Sequence, residues 1–146
     1  MLTIKQLREI ARERIKDAEA LFDAERYDGA MYICGYAVEI ALKAKVCKTL
    51  RWLDFPQTDS EFGGKNRKYS PFKTHALEFL LSYSGCEDKI RTRFKAQWDL
   101  VASWDPQSRY TPTLKTTRAT RARDKAALQA KARQMIDSVT ILLREL

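Results

Sequence analysis

Apolar side chains recur every three or four residues over most of the chain, and that spacing predicts helices. Ile4, Leu7, Ala11, Ile15, Ala18 and Phe22 form one stripe behind Thr3, a good N-cap, so a first helix is predicted over about residues 3–23. Its other face, with Arg8, Glu9, Arg12, Glu13 and Lys16, mixes charges and reads as solvated with local ion pairs. A second helix is predicted over about residues 28–50. It is apolar almost all round as far as Leu42, which marks a helix buried on most sides at the centre of a bundle. Its last turns, with Lys43, Lys45 and Lys48, are expected in solvent. Residues 51–70, with Pro56, Gly63 and Gly64, read as a long connector without regular structure, a kind of loop that is often functional.

A third helix carries Leu77, Leu80 and Leu81, and two starts compete for it: Ser70 ahead of Pro71, or Thr74 ahead of His75. A fourth is predicted over about 87–102, with Ile90, Phe94, Trp98 and Val101 on one stripe, before Pro106 and Pro112 exclude a continuous helix. The last is predicted over about 121–144, where Leu128, Ala132, Met135, Val139 and Leu142 alternate steps of four and three. No segment alternates apolar and polar long enough to be a strand. The fold class is therefore all-α, an up-and-down bundle of four main helices plus a short one, in a single domain over residues 1–146.

Composition narrows this picture. No run of about 18 apolar residues exists, so no membrane span is expected. Cys34 and Cys47 would stand roughly 20 Å apart on one helix, too far for a disulfide. With Cys86 the thiol count is odd, and free buried thiols fit a reducing cytoplasm. No CxxC pair is present and His75 is the single histidine, so the residues imply no metal site and no cofactor.

The net charge is +8. Residues 1–30 are balanced, with six basic and seven acidic side chains. Residues 61–73 hold four basic and one acidic, and residues 109–125 hold six basic and one acidic, so these two segments supply the whole excess. Lys65, Arg67 and Lys68 in the first, and Arg109, Lys115, Arg118, Arg121 and Arg123 in the second, are the candidate nucleic-acid contacts, with Tyr69 and Tyr110 interleaved. Solvated loops would show the same composition.

One residue does not fit the apolar pattern. The run AMYICGYAVEIAL, residues 30–42, contains a single charged side chain, Glu39. A buried carboxylate is costly unless paired. Lys43, one turn on, and Arg109, on a distant connector, are its candidate partners.

Three stretches together resemble the HEPN family. AERYDGAMYICGYAVEIALKAKV is similar to the family's second helix, KTHALEFLL to its Thr-His marker ahead of a Leu-rich helix, and WDPQSRYTP to its Arg-Tyr pair near a Pro. Order and spacing agree, and the resemblance covers residues 25–145. It implies a helical bundle that dimerises. An apolar surface on the second helix too wide for three neighbours to cover points the same way. It places Glu39 on the central helix, inside the bundle or at a subunit interface, where it either orients the bundle through an ion pair or serves the site. It also implies partners: many such proteins are metal-independent ribonucleases, others are non-catalytic, and many pair with a nucleotidyltransferase in toxin–antitoxin or defence systems.

Catalytic members look as though they share an Arg followed, after four to six residues, by His. This chain departs from that pattern. Arg109, Arg118 and Arg121 have no His in the window, and His75 lies eight residues beyond Arg67. Metal-free RNA cleavage needs a group that moves protons near neutral pH, which His does most readily. The departure puts ribonuclease activity in doubt and leaves phosphate binding intact. His75, Arg109 and Tyr110 remain the catalytic candidates, each with a plainer reading. His75 can be a fold marker at a helix start, Arg109 a partner for an acid, and Tyr110 a ring packed at the bundle end. Trp98 and Trp104 read as core or interface. Three functions are open: an RNA-associated module, a non-catalytic interaction module that binds a nucleotidyltransferase, and a metal-dependent enzyme, for which the carboxylates lack ligand spacing.

Overall fold

The computed structural model describes residues 1–110 and 118–146, with side chains for residues 1–108 and 122–146. Helix α1 spans Ile4–Asp23. It starts where the sequence predicts: Thr3 Oγ1 accepts the Gln6 N–H at 3.2 Å, and Gln6 Oε1 accepts the Thr3 N–H at 2.9 Å, a reciprocal capping box. Helix α2 spans Tyr27–Thr49 and is the centre of the fold. It packs against α1, against α6 (Arg118–Glu145), against α3 (Leu77–Tyr83) and against a short 3-10 segment, Pro106–Tyr110. Val38, Leu42 and Val46 have no exposed surface, and burying each contributes about 1.5–3 kcal/mol. One chain thus covers most of α2, with Met31, Ile33 and Ile40 only partly buried. The excess apolar width read from the sequence is met by these neighbours and is no longer an argument for a second copy.

Five expectations are corrected. The connector at 51–70 is not irregular. Asp54–Phe55 forms a strand, β2, paired antiparallel with β1 (Leu2–Thr3), and Gly64–Phe72 is a 3-10 helix. Its aromatic residues order it: the Trp52 ring meets Tyr69 at 4.4 Å and Phe72 at 5.0 Å, and Phe55 meets Phe62 at 5.8 Å. Tyr69 is consequently buried and offers no ring to a base, while Lys65, Arg67 and Lys68 are exposed.

Neither proposed start for the third helix caps it. Its N-cap is Ala76, and Thr74 Oγ1 accepts the Ala76 N–H at 3.0 Å. The fourth helix is two, α4 (Glu87–Arg93) and α5 (Lys95–Ala102), broken where Phe94 takes φ −126° and ψ 29°. The break aims Trp98 at α3, where its indole N–H donates to Glu78 at 2.9 Å. Lys43 is not in solvent: its side chain keeps 14% of its exposure.

The last helix begins three residues earlier than predicted. On it Ala132, Met135, Ile136, Val139 and Leu142 are buried. Arg133 ties it to α1 through two 3.0 Å bonds to Glu19, with its guanidinium 4.1 Å from the Phe22 ring centroid. Apart from Tyr27 and Ala132, the buried apolar residues among those described form one core cluster that draws on α1 to α6, and among the described residues no helix is long and apolar enough to cross a membrane.

Candidate functional site

Tyr32, Tyr36, Glu39 and Lys43 follow one another on α2 at steps of four, three and four, which places them on one stripe of the helix. Glu39 is 4% exposed, and both of its oxygens are engaged. Oε1 accepts from Lys43 Nζ at 2.6 Å. Oε2 lies 2.7 Å from Nδ1 of His75, which arrives from the segment just ahead of α3. Of the two partners weighed for Glu39, Lys43 is present. The side chain of Arg109 lies outside the described residues, and His75 takes the second place.

The chemistry of this contact fixes the imidazole. An ionised carboxylate only accepts hydrogen bonds, so Nδ1 carries the proton toward Glu39 and Nε2 is the nitrogen left for another partner. His75 remains 56% exposed, against 5% for the Glu39 side chain. A buried acid therefore orients a solvent-facing imidazole. Lys43 balances the acid from the other side, with Nζ 5.4 Å from the Phe55 ring centroid.

Aromatic rings carry the site toward the second basic segment. The Tyr36 ring meets His75 edge-on at 5.8 Å, Trp104 at 5.0 Å and Tyr32 at 5.1 Å, and the Tyr32 and Tyr36 hydroxyls are 3.1 Å apart. Trp104 is seated by a 3.1 Å bond from its indole N–H to the Tyr32 carbonyl and by Gly35, where a Cβ would fall 2.0 Å from the indole. Arg109 and Tyr110 lie in the 3-10 segment that follows Trp104 and packs on α2. Tyr36 is thus flanked by His75 on one side and on the other by the tryptophan that anchors that segment.

The remaining nucleic-acid candidates divide. Arg123 is exposed on α6. Lys115 and the side chains of Arg118 and Arg121 lie outside the described residues, as does the side chain of Tyr110. Tyr32, Tyr36 and the Glu39–His75 contact were not read from the sequence. The α2 stripe was legible as spacing. The contact joins residues 36 apart in the chain, and its only signal was a lone acid in an apolar run together with a lone histidine.

Neither a curated protein nor a solved structure matches the chain. The family model described as HEPN domain matches residues 4–58, a stretch that comprises α1, α2 and the connector through β2. The matched stretch supplies Glu39 and Lys43, while His75 comes from beyond it; over residues 4–58 this chain is similar to the HEPN domain family.

Proposed function

We propose that this chain is an RNA-associated HEPN module with His75 at its RNA-facing centre. In this reading it acts as a homodimer and pairs with a nucleotidyltransferase in a toxin–antitoxin or defence setting. The observation that carries the reading is the exposed imidazole whose Nδ1 is held 2.7 Å from buried Glu39. A neutral imidazole fixed in this way offers Nε2 to a hydroxyl proton, the role a base plays when a ribose 2′-oxygen attacks the adjacent phosphate. Arg109 would hold that phosphate, and Lys65, Arg67, Lys68, Lys115, Arg118, Arg121 and Arg123 would track the strand. Glu39 acts through His75 as a positioning residue. A second reading, a non-catalytic interaction module, is favoured by the absence of any Arg-x(4–6)-His motif.

The test uses labelled single-stranded RNA and purified protein in EDTA. Binding should fall with salt at a slope of about −0.7 per phosphate neutralised. Arg118→Ala, Arg121→Ala and Arg123→Ala combined should flatten that slope without unfolding the protein. Slow cleavage should be lost in His75→Ala while binding is retained. Binding without cleavage in the parent protein would keep the RNA-associated module and remove the catalytic role of His75, and no binding at low salt would end the first reading and leave the second.

A further inference from the structure

A groove of about 660 Å³ lies on the bundle away from His75, between α1, α2 and α6. Its floor is aliphatic, with Ala11, Ile15, Ala41 and Leu143, and its rim is cationic, with Arg8, Arg12, Lys16, Lys45 and Arg144. Among the described residues, Lys16 is paired, to Glu13 at 2.7 Å, while Arg8, Arg12, Lys45 and Arg144 have no carboxylate within ion-pair distance. The acid on the rim, Glu145, is engaged by Lys89 at 2.7 Å. The α1 face that reads as evenly mixed in sequence therefore presents unpaired cations beside an apolar trough.

We propose that this groove docks an acidic amphipathic helix of a partner protein. Three features select that occupant. Arg8, Arg12 and Lys16 are spaced one turn apart, about 6 Å per step, which matches carboxylates at the same spacing on a facing helix. Small floor residues let a helix approach closely, with Ala11 at 1% and Ala41 at 5% exposure and larger Ile15 and Leu143 partly buried beside them. Charge complementarity then supplies selectivity and a fast encounter. Other occupants fit less well. No aromatic ring lines the groove, so RNA would find phosphate partners but no stacking surface. A second copy placed by two-fold symmetry would set cations against cations.

The probe is a fluorescent 20-residue helical peptide carrying Leu on one stripe and Glu at three successive turns beside it, with a Lys-for-Glu version as control. Anisotropy should show binding of the Glu peptide to the full chain, weakening at least tenfold from 50 to 300 mM salt, and no binding of the Lys peptide. The double variant Arg8→Glu/Arg12→Glu should lose the Glu peptide by at least tenfold and gain the Lys peptide. That exchange cannot come from a folding defect, and circular dichroism would check the fold independently. Failure of both peptides to bind the parent protein at low salt overturns the proposal. So does a double variant that loses the Glu peptide without gaining the Lys peptide. Displacement of the Glu peptide by oligouridine, with RNA binding lost in the double variant, would assign the groove to nucleic acid instead. Conversion of a dimer to a monomer by the double variant would assign it to a second copy.

Discussion

At the scale of single residues, the central fact is how Glu39 is compensated. Its position in an apolar helix would be unfavourable by several kcal/mol without partners. Lys43 and His75 supply one contact to each oxygen. Because Lys43 keeps some exposure, it can rehydrate in part when the acid is removed. Glu39→Gln should therefore cost about 1.5–3 kcal/mol, the range for a hydrogen bond to a charged group, rather than the larger penalty of a fully stranded ion. Replacing both partners, as Glu39→Leu with Lys43→Met, should cost less than the single change, since no buried charge is left over. Urea unfolding of the three proteins checks this. A Glu39→Gln midpoint equal to the parent's would mean that the pair does not stabilise the fold.

At the scale of elements, Gly35 decides whether the 3-10 segment can sit on α2. Alanine is the better helix former by about 1 kcal/mol, so propensity alone predicts that Gly35→Ala stabilises. The steric argument runs the other way, and it wins: a Cβ 2.0 Å from the Trp104 ring cannot be absorbed by a few tenths of an ångström of movement. Trp104 must leave, taking its bond to the Tyr32 carbonyl and its contact with Tyr36. Gly35→Ala should lose about 1–3 kcal/mol, the usual cost of overpacking, and red-shift tryptophan emission. A stabilised variant with unchanged emission would show that Trp104 is not seated there. The sequence hides this element. A glycine inside an apolar helix reads as a mild defect until its distant neighbour is known. The helices themselves were legible because their stripes are local, as Leu7, Ala11 and Ala18 on α1 illustrate. The order in residues 51–72 was not, because it depends on aromatic rings meeting across the chain. Nor was the break at Phe94, which no Gly or Pro announces.

At the scale of the whole molecule, the buried thiols link folding to pH. Cys34 and Cys47 have no exposed surface. Burial pushes the Cys34 thiol from its ordinary 9.0 up to about 12, with the Glu19 carboxylate adding to the rise and Arg133 opposing it. Burial, then the Asp54 carboxylate, also raises Cys47 to about 12. Between these values the folded chain keeps protons that the unfolded chain has released, so stability must fall as pH rises through the window from 9 to 12. The contribution is fully present below pH 9. Each thiol can remove up to about 1.4 kcal/mol per pH unit once the unfolded thiol is ionised, or on the order of 2 kcal/mol by pH 10.5. Other groups titrate in the same range, which is why the comparison must be between the parent and Cys34→Ala/Cys47→Ala. The double variant starts lower at pH 8, having lost core volume, but should decline less steeply, so the two curves converge toward pH 10.5. Urea midpoints at half-unit pH steps give the answer. Parallel curves would mean that the folded chain gives up these thiol protons as readily as the unfolded one.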